Sequence, residues 1–156
     1  MTPYTTATER IRATIPFAGM HADAVFDLMG DPERITDWFI LAKEVRMHPT
    51  DEAAFNVVFT FFGDVYEEVL HWDPPRRYVY LAQGPDFPIQ DYVARIEVEE
   101  TGDGTGVVRW AIHYDVIEGE AFQRVLPVML PPVIEESLLR LARLIGGDDV
   151  EMVVSM

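Results

Sequence analysis

The chain has 156 residues, 49% of them hydrophobic, and a formal net charge of −15. That length suits one domain with a real core. Nucleic acid and anionic membranes are poor partners, because gripping phosphate needs Lys and Arg gathered in a patch; here the basic residues are scattered and Lys43 is the one lysine. The absence of cysteine excludes disulfides and thiolate metal sites.

The acid excess reads as a solvated, solubilising surface in preference to a device for steering cations. No apolar run approaches the ~18 residues of a membrane span, so no stable membrane insertion is expected. Met1 to Arg12 lacks the positive region and apolar stretch of a signal peptide, which makes the cytoplasm the expected location.

In chain order, Ile11, Ala13, Ile15 and Phe17 alternate with Arg12, Thr14 and Pro16, as in a strand ending at an edge. Ala22, Val25, Phe26 and Met29 shift the period to helical. Gly30-Asp31-Pro32 closes that helix and opens a second, with Asp31 as N-cap, Pro32 at the first position, and Ile35, Trp38 and Phe39 on the buried side. A weak strand follows at Lys43 to His48.

Ala54 to Phe62 and Val65 to Trp72 are strong strands, and Gly63-Asp64 between them fits a two-residue hairpin turn. That turn sets Phe62 opposite Val65, Phe61 opposite Tyr66 and Phe59 opposite Glu68. The core face then carries Phe55, Val57, Phe59, Phe61, Tyr66, Leu70 and Trp72, with Glu68 among them. Glu67 and His71 fall on the other face.

Arg77 to Gln83 turns Tyr78, Tyr80 and Ala82 to one side. Gln90 to Glu100 points Tyr92, Ala94, Ile96 and Val98 inward, and Val107 to Ile117 does the same with Val108, Trp110, Ile112, Tyr114 and Val116. The glycine-rich segment Thr101 to Gly106 lies between two strands and reads as a hairpin loop, not as a phosphate loop before a helix.

From Pro132 onward, Ile134, Leu138, Leu141 and Ile145 mark the buried face of a closing helix. Glu135 and Glu136 lie near its start, Arg140 and Arg143 near its end, and Gly146-Gly147 follows it. Phe122, Leu126 and Met129 extend the stripe upstream, but Pro127, Pro131 and Pro132 imply a kink or two helices end to end. The apolar tail Val150 to Met156 is expected to fray or to pair with a neighbouring chain, which would allow a homodimer.

This is an α+β arrangement: about seven antiparallel strands curved around a long C-terminal helix, with two short helices between the first and second strands. One domain spans 1–156, with its core at about 9–146 and a tail at 148–156. The order resembles the helix-grip superfamily of START domains and birch-pollen-type allergens, in its polyketide cyclase/dehydrase and lipid-transport branch. The resemblance is carried by His21-Ala22-Asp23-Ala24-Val25-Phe26 leading to Asp31 and Trp38, by Val69 to Arg77, and by Gly104-Thr105 leading to Trp110. It implies a hydrophobic cavity between sheet and helix that holds lipids, steroids, polyketides or plant hormones, with cyclisation or dehydration catalysed in some members. The three prolines from Pro127 to Pro132 depart from the uninterrupted grip helix.

Glu68 is the candidate acid or base, since an aromatic, desolvating surround suits a carboxyl to proton transfer; the alternative is a rim carboxylate paired with arginine or facing water. Tyr66, Tyr78, Tyr80, Tyr92 and Tyr114, with Trp110, offer apolar bodies with polar tips for orienting a greasy ligand, or simply pack the core. Phe59, Phe61, Phe122, Leu126, Met129 and Leu130 complete the candidate ligand-binding set. His21, His48, His71 and His113 lack metal-ligand spacing and read as surface residues, so no metal and no cofactor is expected. Ser137 and Ser155 lack a nucleophile motif.

Three functions remain open: a binder of a hydrophobic small molecule, a cyclase or dehydratase using the same cavity, and a protein-interaction module of chaperone-cofactor type with a filled interior. The first two call for an interior space of at least ~300 Å³.

Overall fold

One-sided alternation along the later strands leaves a single apolar sheet face to be covered, and a C-terminal helix covers it. The computed structural model describes residues 4–116 and 119–155, with the backbone alone at 120–123. The elements are β1 (Glu9–Ala18), α1 (Ala22–Gly30), a 3-10 turn at Pro32–Arg34, α2 (Ile35–Trp38), β2 (Ala42–Met47), β3 (Ala54–Phe59), β4 (Gly63–Asp73), β5 (Arg77–Gln83), β6 (Ile89–Gly102), β7 (Thr105–Val116), α3 (Glu120–Leu144) and β8 (Glu151–Val154). The strands form one antiparallel sheet in the order β2-β3-β4-β5-β6-β7-β1-β8.

The eighth strand is the tail. It neither frays nor waits for a neighbour: Ile11 to Thr14 of β1 pair with Glu151 to Val154 of the same chain. Asp31 caps the 3-10 turn through a 3.0 Å bond from the Glu33 N–H, with Pro32 in its first turn, as the Asp-Pro pair predicts. No described helix is long and apolar enough to cross a membrane.

Helix α3 runs as one element through Pro127, Pro131 and Pro132 rather than as two helices. Its second half fills the space against β1 and β7, where Leu138, Leu141, Ala142 and Ile145 have no exposed surface. It ends against β1: the Ala18 N–H donates to the Ile145 carbonyl at 3.2 Å. Gly146 follows at φ +83°, and a Cβ there would lie 1.9 Å from the Ala18 carbonyl oxygen. Glycine is therefore required at that stop. Ser137, fully buried, donates to the Val133 carbonyl at 2.8 Å and accepts from the Ile40 N–H at 3.1 Å. It fixes the link between α2 and β2 onto α3.

The β3–β4 register differs from the expected one. Val57 pairs with Val65 and Phe59 with Gly63, so the turn is Thr60-Phe61-Phe62. Phe61 takes φ +74°, a conformation that bulky residues rarely adopt, which is why the glycine pointed to the wrong turn. The displacement is by an odd number of residues, so every β4 side chain near the turn changes face. Val65, Glu67 and Val69 point inward; Tyr66 and Glu68 point outward, opposite Gln83 and Leu81. A bulge at Leu70 then restores the phase, which returns Trp72 to the inner side.

Candidate functional site

The first half of the interior is not filled. Between the inner face of β3–β7, the α1–α2 segment and α3 lies a space of about 100 Å³ with an almost wholly apolar wall. Each strand contributes by its alternation: Phe55 and Phe59 from β3, Val65, Glu67, Val69 and Trp72 from β4, Tyr78, Tyr80 and Ala82 from β5, Ile89, Tyr92 and Ile96 from β6, Trp110 and Ile112 from β7. Met29, Gly30, Ile35, Trp38 and Phe39 close it on one side, and Leu130 and Ile134 of α3 on another.

Aromatic rings run along this wall in two chains. Trp72, Tyr78, Tyr80, Tyr92, Phe87 and Phe62 succeed one another at centroid separations of 5.5, 6.0, 6.0, 6.0 and 5.9 Å. Trp110, Trp38, Phe39 and Phe59 form the second, at 5.7, 5.9 and 5.4 Å. Most of these contacts are edge-on or tilted, the geometry that flat rings prefer.

The polar groups on the wall are few. The Tyr78 hydroxyl donates to the Met29 carbonyl at 3.0 Å, and the Tyr80 and Tyr92 hydroxyls bond each other at 3.3 Å. Burial holds all three phenols well above their ordinary range. Glu67 is 7% exposed and makes no hydrogen bond or ion pair among the described residues. Desolvation pushes its carboxyl up to about 8, so at neutral pH it is mostly the neutral acid.

Among the sequence candidates, Phe59, Tyr78, Tyr80, Tyr92, Trp110 and Leu130 are brought together on this wall. Tyr114 and Leu126 are buried in the adjoining core, Tyr114 with the Arg10 guanidinium 5.9 Å above its ring, and Met129 packs against both core clusters. Phe61 is 79% exposed and Tyr66 faces out. The Phe122 side chain lies outside the described residues. Glu68 leaves the aromatic face with the register correction and Glu67 takes its place. His113, expected at the surface, is 3% exposed in β7 opposite Glu9 of β1, and burial lowers its pKa. Phe62, Val65 and Phe87 are additions that strand periodicity did not reveal, the first and last because they sit in turns.

A family model described as polyketide cyclase/dehydrase and lipid transport matches residues 8–146. The chain belongs to that family. Solved structures superpose on most of the chain. XoxI from Bacillus cereus superposes with a TM-score of 0.72 at 16% identity, over 88% of this chain and 96% of its own. The Zhui aromatase/cyclase from Streptomyces sp. R1128 gives 0.72 at 12% identity, over 87% and 93%. A START superfamily protein from Mycobacterium smegmatis gives 0.62 at 12%, over 86% and 99%. At such identities the likeness establishes the fold alone. No curated protein sequence matches this chain.

Proposed function

We propose that this member of the family binds a small hydrophobic, ring-containing molecule in the space between sheet and α3, oriented by Glu67 and the Tyr80–Tyr92 hydroxyl pair. The observation that carries the reading is a wall of tilted rings and aliphatic side chains interrupted by one unpartnered carboxyl. A few polar groups converging in an apolar hollow are what fix a ligand's orientation. At about 100 Å³ the closed space falls short of the ~300 Å³ that the binding and enzyme readings call for, and this counts against a large ligand in the form seen. The ligand is thus a single small ring, or a larger one admitted when Phe59, Phe62 and Phe87 swing aside.

A second reading has one observation in its favour. A carboxyl raised to about 8 is poised for general acid–base work near neutral pH, as a cyclase or dehydratase of this family would require.

Extraction of the purified protein followed by mass spectrometry tests the first reading. An apolar ring compound is expected from the native chain and should be lost from Ala82→Phe, which fills the space. Absence of any extractable ligand, together with no binding of small aromatic probes, would overturn it. For the enzyme reading, Glu67→Gln should lower turnover of a cyclisable or dehydratable substrate by ~10²-fold or more while leaving binding in place.

A further inference from the structure

The charge character of this space is one-sided. Its only acidic or basic lining residue is Glu67; no lysine, arginine or histidine reaches it among the described residues. The nearby arginines are engaged on the opposite face of the sheet: Arg12 with Glu9 at 2.8 Å, Arg95 with Glu97 at 2.8 Å and Arg109 with Glu99 at 2.6 Å. Glu67 is more than nine-tenths buried and unpartnered.

Two of the three phenol donors are committed as well, Tyr78 to the Met29 carbonyl and one of the Tyr80–Tyr92 pair to the other, which leaves one phenol O–H free. The indole N–H groups of Trp38 and Trp110 have no partner, but both nitrogens are themselves buried rather than open to the space. An anionic head group would find no counter-charge, only the Glu67 acid and one phenol O–H as donors, and tyrosine rings whose faces are negative. Those same ring faces attract a cation, and a buried carboxylate supplies the ion-pair partner that makes burying a charge tolerable.

We infer that the pocket selects hydrophobic molecules bearing a protonated amine, with the ammonium held between the Glu67 carboxylate and the faces of Tyr78, Tyr80 and Tyr92. The inference rests on the ligand-binding reading above and adds the ligand's charge. The acid and the amine need no external counter-ion. A free-base amine entering beside neutral Glu67 takes its proton, the new N–H bond forming as the carboxyl O–H breaks, and leaves an ammonium–carboxylate pair.

A matched set of single-ring probes separates the two claims: benzylamine, benzyl alcohol and benzoate, titrated calorimetrically into the full chain at pH 7. Benzylamine is expected to bind at least about tenfold more tightly than benzyl alcohol, and benzoate most weakly. In Glu67→Gln the preference for the amine should vanish while benzyl alcohol still binds, which also shows that the variant is folded. Binding of the alcohol with no preference for the amine, tightest binding of benzoate, or an amine preference that survives in Glu67→Gln would overturn the charge assignment and leave the pocket reading standing. If none of the three binds the native chain, both fall. Should Glu67→Gln fail to fold, the ranking of the three probes on the native chain decides.

Discussion

The two halves of the interior, built on the same sheet and the same helix, are packed on different rules. Against β1 and β7, the second half of α3 buries Leu138, Leu141, Ala142 and Ile145 completely. Beneath β4 to β6 the wall is made of rings, and a gap of about 100 Å³ persists. Those aliphatic side chains in the second half of α3 are fully buried, whereas the ring-lined half retains the gap. The fold thus assigns stability to one half and leaves the other free to be chemically specific.

The largest expected break in that contrast comes from truncation. Leu141→Ala should lose ~2–5 kcal/mol in urea unfolding, the range for a filled site that cannot collapse. Tyr80→Phe, on the ring wall, should lose only about 1 kcal/mol or less, the net value of one shared hydrogen bond. Equal losses would mean that both halves are load-carrying cores.

Next in size is the pH response of Glu67. Its folded pKa of about 8 stands above the ordinary 4.5, so its contribution to stability is fully present below about 4.5 and is lost as the pH rises through 8. Glu67→Gln should therefore gain stability relative to the native chain between pH 5 and pH 9, by a few kcal/mol at ~1.4 kcal/mol per pKa unit. Parallel stability profiles for the two proteins would place Glu67 in water instead.

The smallest effect concerns the turn. Phe61 is 79% exposed at φ +74°. Phe61→Asn, which tolerates that backbone, should add roughly 0.5–1 kcal/mol in the same unfolding assay and leave probe binding unchanged. A loss of stability would show that the ring makes contacts worth more than its strain.

How far the sequence reveals this molecule depends on how one-sided each strand is. In β6 and β7 polar and apolar residues largely alternate, and their inward set, including Tyr92, Ile96, Trp110 and Ile112, is legible from the sequence alone. In β4 both faces carry apolar residues and both carry a glutamate, so periodicity cannot choose and the turn must. The turn uses a phenylalanine in a glycine-like conformation, and the bulge at Leu70 conceals the error by returning Trp72 to the expected face. The Ser137 link escapes for another reason: its partner, the Ile40 N–H, is 97 residues away. The tail's pairing with β1 is likewise a long-range choice that four residues of local pattern cannot announce.

Helix α3 carries its prolines entirely in the half that borders the gap. Pro127, Pro131 and Pro132 each lack an N–H, so the carbonyls four residues earlier lose their usual i+4 donor. From Val133 onward no proline interrupts the ladder. Hydrogen exchange should register this as a gradient along one continuous helix, with fast exchange and local opening before Pro132 and slow, globally governed exchange after Ser137. The part of the helix that can yield is the part a ligand would have to displace. The Ser137 bridge stands at the boundary, holding the α2–β2 link to the half that stays still.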